Sequence, residues 1–180
     1  MDPVTADNTV EAQKKSRGRR FVDYIAKRCQ TDKGLSAALK RADNPATEYQ
    51  SWDVLAGFGV DLENENQRLP FSTIAAAVAR SGLQNNGTVS IGQAIARCYG
   101  SGKDSDQAKS KLRRLLACDT TAEACRVLRP LFSLIDARGG IRLNYGQLLD
   151  DLLWFHGERQ VHIKARWAQD FYGREGNSGE

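Results

Sequence analysis

Apolar side chains recur at spacings of three and four residues along most of this 180-residue chain. The pattern is clear at Phe21 and Tyr24, and again at Leu112 and Leu115. Such spacing places apolar groups on one face of an α-helix. Residues 88–91 come nearest to the alternation of a β-strand, but this segment is too short to predict a strand. The sequence therefore predicts an all-α fold of about eight to nine helices.

Proline, glycine and capping residues divide this pattern into separate helices. We expect Asn44-Pro45 to end one helix, with Pro45 in the first turn of the next. Pro70 is predicted to open an alanine-rich helix that Gly82 closes. The later helices are predicted to begin at four capping positions: Ser90, Asp104 or Ser105, residues 119–121, and Asn144.

The glycine-rich residues 100–102 are the predicted joint between two small helical bundles packed in tandem. The N-terminal bundle would cover residues 19–102 and the C-terminal bundle residues 103–173. Residues 1–18 are predicted to be a disordered basic arm, and residues 174–180 a loose tail. The core of the C-terminal bundle is predicted to contain Leu112, Leu115, Leu128, Leu131, Leu152 and Trp167.

Composition predicts a cytoplasmic protein. Apolar residues make up 41% of the chain, yet they form no run of about 18 that could span a membrane. The first ten residues contain no apolar core of a secretory signal. The cysteines are scattered rather than paired at short spacings, which indicates a reduced compartment and no functional disulfide. They are Cys29, Cys98, Cys118 and Cys125.

Each candidate motif for catalysis or metal binding lacks a required residue or spacing. Gly102-Lys103 resembles the end of a phosphate-binding loop, but Asp104 replaces the required Ser or Thr. His156 and His162 are six residues apart, a spacing that puts them on nearly opposite sides of a helix. The adjacent acids Asp150 and Asp151 point about 100° apart on a helix, so we interpret them as a solvated face. The sequence predicts a protein that is not an enzyme and has no cofactor or metal.

Aromatic residues near the C-terminus allow two interpretations. They could stack on nucleic-acid bases, or they could pack in the core. Because they lie among leucines at helical spacing, we favour core packing, and we interpret Trp52 in the same way. The residues concerned are Trp154, Phe155, Trp167, Phe171 and Tyr172.

The net charge is only +4, but the charges are unevenly distributed. Residues 43–66 contain six carboxylates and no Lys or Arg, whereas residues 107–129 contain six cations and two carboxylates. Helical geometry places the cations of the second segment opposite its leucines. This face either solubilises the protein or binds phosphate, and the excess of Arg over Lys favours phosphate. The charge pattern selects Arg113, Arg114, Arg126 and Arg142 as candidate nucleic-acid-binding residues.

The C-terminal half resembles a known family. The matching features, in order, are a Ser-Ile-Gly-Gln-Ala-Ile-Ala sequence at 90–96, helices at 112–116 and 119–132, a Leu/Trp-rich helix at 148–155 and a Trp-Ala-Gln-Asp-Phe-Tyr ending at 167–172. Together they resemble the small subunit, CasB, of the type I-E CRISPR surveillance complex Cascade. The resemblance covers about residues 20–173. A long arm at 1–18 and missing basic residues at some family positions depart from it.

This resemblance implies a non-catalytic protein made of two helical bundles. Two copies would lie along an RNA-guided complex, in contact with each other, with other Cascade protein subunits and with the guide-RNA assembly. They would hold the DNA strand that is displaced when guide RNA pairs with its target, and so stabilise the R-loop in antiviral defence. Four nucleic-acid-binding residues are carried over from family positions: Arg68, Lys111, Arg129 and Arg159.

Two other functions remain open at the level of sequence. A purely structural brace would use the acidic segment 43–66 and apolar patches to hold protein neighbours, without touching DNA. A helix-turn-helix regulator would need a recognition helix that reads bases in duplex DNA. Salt-dependent binding of single-stranded DNA without sequence preference separates both from the Cascade function.

Overall fold

Nine α-helices make up most of residues 15–173, the part of the chain that the computed structural model describes. Within that part, the nearest approach to a sheet is one isolated parallel bridge between Val89 and Leu143. The all-α prediction of about eight to nine helices is confirmed. The helices are α1 (Arg17–Thr31), α2 (Lys33–Leu39), α3 (Trp52–Gly57), α4 (Glu65–Ser81), α5 (Ile91–Arg97), α6 (Asp106–Leu116), α7 (Thr121–Arg138), α8 (Tyr145–Leu153) and α9 (Gly157–Tyr172).

Most of the helices begin at a side chain that caps the first turn. Ser90 and Thr120 form full capping boxes, in which the side chains of Gln93 and Glu123 accept the backbone N–H of the cap residue. The cap of α1 is Ser16, whose hydroxyl accepts the N–H of residue 19 at 3.2 Å. The predicted disordered arm was therefore too long by at least residues 17 and 18. Residues 1–14 of that arm, and the predicted tail at 174–180, lie outside the described residues.

Both predictions that rested on a proline are wrong. Pro45 lies in a turn, and the next helical structure is a 3-10 turn at Glu48–Ser51 that leads into α3. Pro70 lies inside α4, which begins five residues earlier behind the cap Asn64. A proline six residues into a helix removes one N–H from the hydrogen-bond ladder. Its would-be partner is the carbonyl of Asn66, an exposed residue whose oxygen can bond to water instead.

Helices from both halves of the sequence contribute to one contiguous cluster of buried apolar side chains. Helix α1 packs against α8, α4 against α7, and α5 against α9. The predicted C-terminal core is confirmed, since each of its six residues is at most 2% exposed. The division into bundles at residue 102 stays a prediction.

Two helix contacts depend on glycine. A Cβ at Gly18 of α1 would lie 2.2 Å from the carbonyl oxygen of Gly146 in α8. A Cβ at Gly92 of α5 would lie 2.2 Å from the carbonyl oxygen of Trp167 in α9. Since neither backbone can give way cheaply, these helices can pack this closely only where the side chain is a hydrogen atom.

Candidate nucleic-acid interface

Helix α6 presents its cations to solvent because its apolar residues are buried. Ser105 caps the helix, and Ala108, Leu112 and Leu115 fill one face with no exposed surface. With 100° between successive residues, the other positions must point outward. The exposed ones include Lys111, Arg113 and Arg114, none of which forms an ion pair with any residue in 15–173.

Helix α7 continues this basic surface directly after a short turn. Arg126 is exposed, while Arg129, one turn later, is half-buried. The Nε atom of Arg129 is enclosed and has no hydrogen-bond partner within the described residues. Buried polar atoms without partners are uncommon in folded proteins. This guanidinium can therefore offer only its terminal nitrogens to a phosphate.

Helix α9 adds a cation at the corner between α6 and α7. Lys164 lies 3.7 Å from the carboxylate of Asp119 in the α6–α7 turn, and Gln160 donates to the carbonyl oxygen of Asp119 at 2.8 Å. Both Lys164 and Arg114 lie near enough to Cys118 to act on its thiol electrostatically. The end of α6, the start of α7 and the first half of α9 thus meet in one place.

The corner also contains two carboxylates, which offset part of its positive charge. The pKa of Glu123 is lowered mainly because its carboxylate accepts the backbone N–H groups of Asp119 and Thr120, and to a smaller extent because of Arg126 and Lys164. Asp119 pairs with Lys164. Lys111, Arg113 and Arg114 of α6 and Arg126 of α7 form no ion pair with a carboxylate among residues 15–173, whereas Lys109 of α6 pairs with Asp106, so the first four are the groups available to an anionic ligand.

Arg159 lies beside this corner, one residue before Gln160. Its guanidinium carbon sits 4.1 Å from the centroid of the Trp154 ring, in a cation–π contact. Both side chains border a shallow recess of about 270 Å³ that also touches His162 and Arg166. Trp154 is 50% exposed, so the prediction that it packs in the core is wrong.

The other aromatic residues divide between core and surface. Phe155, Trp167 and Phe171 are buried as predicted, whereas Trp52 and Tyr172 are exposed and correct the core interpretation for these two. For Trp154 the cause is the end of helix α8 at Leu153, because the chain leaves the helix there and exposes Trp154 and His156 on either side of the buried Phe155.

Asp151 is buried rather than solvated, which corrects the prediction for the Asp150-Asp151 pair. It is 5% exposed and accepts hydrogen bonds from Gln147 at 2.9 Å, from Trp167 at 2.8 Å and from Arg166. Burial nevertheless raises the pKa of its carboxyl, with the hydrogen bonds and Arg166 acting in the opposite direction. Asp150 is half-buried and accepts the N–H of Gly18. These carboxylates tie helices together and do not form a catalytic pair.

A model of the family described as CRISPR-associated protein Cse2 matches residues 36–172 of the chain. The chain belongs to the Cse2 family. A Cse2 protein of Thermus thermophilus is 31% identical over 166 residues, which are 88% of this chain and 91% of that protein. The prediction of a CasB-type CRISPR-associated protein is thereby confirmed, and two solved structures that the chain resembles carry the name CasB.

The solved structures agree in fold with this Cse2 chain. CasB of M. ruber is 25% identical and superimposes with a TM-score of 0.69 over 88% of this chain and 94% of that one. CasB from Thermobifida fusca is 18% identical, with a TM-score of 0.66 over 88% of this chain and 99% of that one. At the second identity the likeness is one of fold alone.

Arg68 is occupied within the Cse2 fold. Its Nε donates to Glu48 at 3.0 Å and its Nη1 to the carbonyl oxygen of Leu62 at 2.6 Å, while Ser72 donates to the same carboxylate oxygen at 3.1 Å. Glu48 is 8% exposed. A guanidinium that neutralises a buried carboxylate leaves that charge uncompensated if it turns away. Arg68 is therefore the least available of the candidate residues.

Arg142 lies at the far end of α7 from the corner. It comes four residues after the last residue of that helix, whose 18 residues span about 27 Å. Its side chain is exposed, but its carbonyl accepts the N–H of Val89, and it borders a cavity shared with Arg80. Six candidates, in contrast, lie on α6, α7 and the start of α9: Lys111, Arg113, Arg114, Arg126, Arg129 and Arg159.

Sequence reasoning missed two contributors to this region. The sequence gives no local sign of the role of Lys164, because Asp119 lies 45 residues earlier and only the fold brings the two together. Trp154 was assigned to the core, although Arg159 follows it by five residues at a helix start, a spacing that allows contact. Trp154 is exposed because it lies in the break at 154–156 between α8 and α9.

Other chemistry finds little support in the part of the chain described. No group of three or more potential metal ligands forms among residues 15–173. The same residues contain no helix with both the length and the apolarity to cross a bilayer. All four cysteines are free thiols, and burial raises the pKa of Cys125 to about 12. Such a thiol is protonated at neutral pH and is a poor nucleophile.

Proposed function

We propose that this Cse2-family chain acts as the non-catalytic small subunit of the type I-E Cascade complex, and that it holds the displaced DNA strand without reading its sequence. The observation that carries this proposal is the exposed basic surface of α6 and α7. Lys111, Arg113, Arg114 and Arg126 lack carboxylate partners within residues 15–173. Contacts of this kind to phosphate position a strand but do not specify its bases.

Modest contacts suffice for such a role. Exchange of a DNA duplex for an RNA–DNA hybrid is nearly balanced in free energy, so contacts between the protein and the freed strand can tip it. Each exposed ion contact contributes about 1 kcal/mol or less. Several acting together shift the equilibrium by orders of magnitude, and they penalise re-annealing of the freed strand. The site would thereby stabilise the R-loop.

The partners that we propose follow from this role. They are the displaced single-stranded DNA, the other Cascade protein subunits with their guide RNA, and a second copy of the chain within the complex. We propose a cytoplasmic location for the same reason, because the complex acts on invading DNA there. No catalytic step is assigned to any residue.

The test reverses the three exposed cations of α6 with K111E/R113E/R114E. Arg129 is left unchanged, since a glutamate there would bury a carboxylate beside Cys125. Wild type should bind single-stranded DNA with a slope of about −3 in a plot of log binding constant against log salt concentration, for about four phosphates at ~0.7 each. The variant should bind more weakly with a slope flatter by about 2. Fluorescence anisotropy against salt concentration measures both.

A matched control changes the net charge equally at another place. The exposed residues Lys27, Lys33 and Lys40 lie on α1, on α2 and directly after α2, and K27E/K33E/K40E makes the same charge change. Circular dichroism should show both variants to be helical. If the two triple variants bind alike, binding follows net charge alone, and the assignment of the interface to α6 and α7 is wrong.

The second candidate function is a structural brace, and one observation favours it. Tyr49, Trp52 and Asp53 are exposed on one side of the 3-10 turn and α3, within the segment rich in carboxylates. Aromatic side chains are enriched in protein interfaces relative to the rest of the surface. If Cascade with K111E/R113E/R114E opens and holds target DNA as well as wild type, the brace is the better assignment. Complex assembly that survives in that variant but fails in Y49A/W52A would support it.

A further inference from the structure

The side chain of Trp154 is displayed rather than buried. Helix α8 ends at residue 153, and Trp154 and His156 face outward on either side of the buried Phe155. Half of the Trp154 surface is accessible, whereas Trp167, which stacks on Phe155 with centroids 5.4 Å apart, is 1% exposed. The Trp154 ring therefore lies partly at the surface, where a ligand can reach it.

Arg159 holds a flat cationic surface against this indole. Its guanidinium lies 4.1 Å from the ring centroid, while the residue as a whole is exposed and forms no ion pair within residues 15–173. The ring of His156 is 6.0 Å from that of Trp154. A guanidinium that lies over an aromatic ring leaves its other face open, and planar groups stack on such a face as they do on an aromatic ring.

The recess beside Trp154 and Arg159 has a size that suits one planar group. Its volume of about 270 Å³ is smaller than the pockets of about 300–1,000 Å³ that enclose whole small molecules. The carboxylates on its wall are engaged elsewhere: Asp150 accepts the N–H of Gly18 at 2.8 Å, and Asp151 accepts Trp167. Arg159 and the exposed His162 remain to face an incoming ligand.

We propose that Trp154 and Arg159 form a stacking site for one unpaired base of single-stranded DNA. The proposal rests on the proposed function, because the same strand would run along the cations of α6 and α7. Gln160, the neighbour of Arg159, bonds to Asp119 in the α6–α7 turn. A strand that leaves that corner can therefore place its next base against Arg159. Stacking on an aromatic or guanidinium plane accepts any base, which agrees with binding that is independent of sequence.

The experiment compares an oligothymidylate of about 20 nucleotides with an abasic oligomer of equal length, using wild type, W154A and W154F. Stacking of one base contributes about 1–3 kcal/mol, so W154A should bind the thymidylate about 5- to 140-fold more weakly. W154F should stay within about 5-fold of wild type. The salt slope should be the same in all three proteins, because stacking releases no counterions. On the abasic oligomer, W154A and wild type should bind alike.

W52A is the matched control, since Trp52 is a second exposed tryptophan at 38% exposure, on α3. It should bind both oligomers as wild type does. If W154A binds the thymidylate as tightly as wild type, the stacking site is wrong, while the proposed function still stands if K111E/R113E/R114E weakens binding. An equal loss with W154A on the abasic oligomer would also overturn it, because then no base is involved.

If wild type binds no oligonucleotide in isolation, the proposed function fails, and a second measurement decides the stacking site. Deoxyadenosine monophosphate is titrated into the full chain, and the indole N–H resonance that disappears in W154A is followed by NMR. A saturable shift of that resonance supports a base site at Trp154, and no shift overturns it. A preference of the Trp154-dependent step for oligouridylate over oligothymidylate would overturn the assignment to DNA.

Discussion

At the scale of single residues, Asp151 shows how a charged group is accommodated in this core. Its carboxylate joins α8, the helix that contains it, to α9 through Trp167 and Arg166. Two of its three donors, Gln147 and Trp167, carry no charge, and the third, Arg166, is half-exposed, so desolvation outweighs them and raises the pKa of Asp151. The residue fixes the position of α9, and hence of Arg159 at the start of that helix.

The raised pKa of Asp151 predicts that the stability of D151N relative to wild type depends on pH. The folded protein binds this proton more tightly than the unfolded chain, whose aspartate pKa is about 3.9. The contribution of Asp151 to stability is therefore greatest below that value and is lost as pH rises through the higher folded pKa. Because asparagine does not titrate, D151N should gain stability relative to wild type between about pH 4 and pH 7. Urea denaturation of both proteins across this range measures the difference, and a difference that is constant or falls with pH contradicts it.

At the scale of helices, the glycine contacts determine which pairs approach most closely. Gly92 of α5 faces the backbone of α9 at Trp167, and a Cβ there would also lie 2.8 Å from the nitrogen of Phe171. Helix α9 also contains Arg159 and Lys164. The close approach of α5 therefore helps to fix the position of the helix that holds both cations.

We expect G92A to lower the free energy of unfolding by about 1–3 kcal/mol, because α5 and α9 must separate to admit the methyl group. G57A is the matched control, since a Cβ at Gly57 of α3 has nothing within 4 Å. Removing glycine from a helix stabilises it by about 0.5–1 kcal/mol. Urea denaturation of the three proteins measures both changes. G92A as stable as wild type would mean that the helices adjust freely.

At the scale of the whole molecule, one contiguous core spans the predicted joint at residues 100–102. Three cysteines of that core, Cys98, Cys118 and Cys125, lie on both sides of the joint, and all three are buried. Cys29 is only half-buried. The thiols can therefore report whether the chain opens in one step or in parts.

We expect native labelling by a thiol reagent to modify Cys29 first, and the three buried thiols only when the fold opens. Because helices of both halves pack on each other, the three should then react at one common rate. Mass spectrometry of peptides at increasing times in mild urea measures these rates. If Cys98 reacts at a rate different from those of Cys118 and Cys125, the two predicted bundles open independently.

Local patterns in the sequence were enough for most helices and for the basic surface. The capping residues Ser90 and Thr120 and the leucines of α6 act within a few neighbouring residues, so their effect can be recognised without the fold. The positions of Asp151 and Trp154 depend on where α8 ends and on the side chains of α9 that contact them. The pairing of Arg68 with Glu48 likewise spans 20 residues. Such contacts are absent from any local pattern.

The contact between α1 and α8 affects how the protein is made. Gly18 donates its N–H to Asp150, 132 residues further along the chain. A ribosome adds about 5–20 residues per second, so the first helix waits about 7–26 s for its packing partner to emerge. During that time the face of α1 around Gly18, which packs on α8 in the finished molecule, has no α8 to cover it. This face therefore stays open to solvent or to temporary contacts until synthesis of the chain is nearly complete.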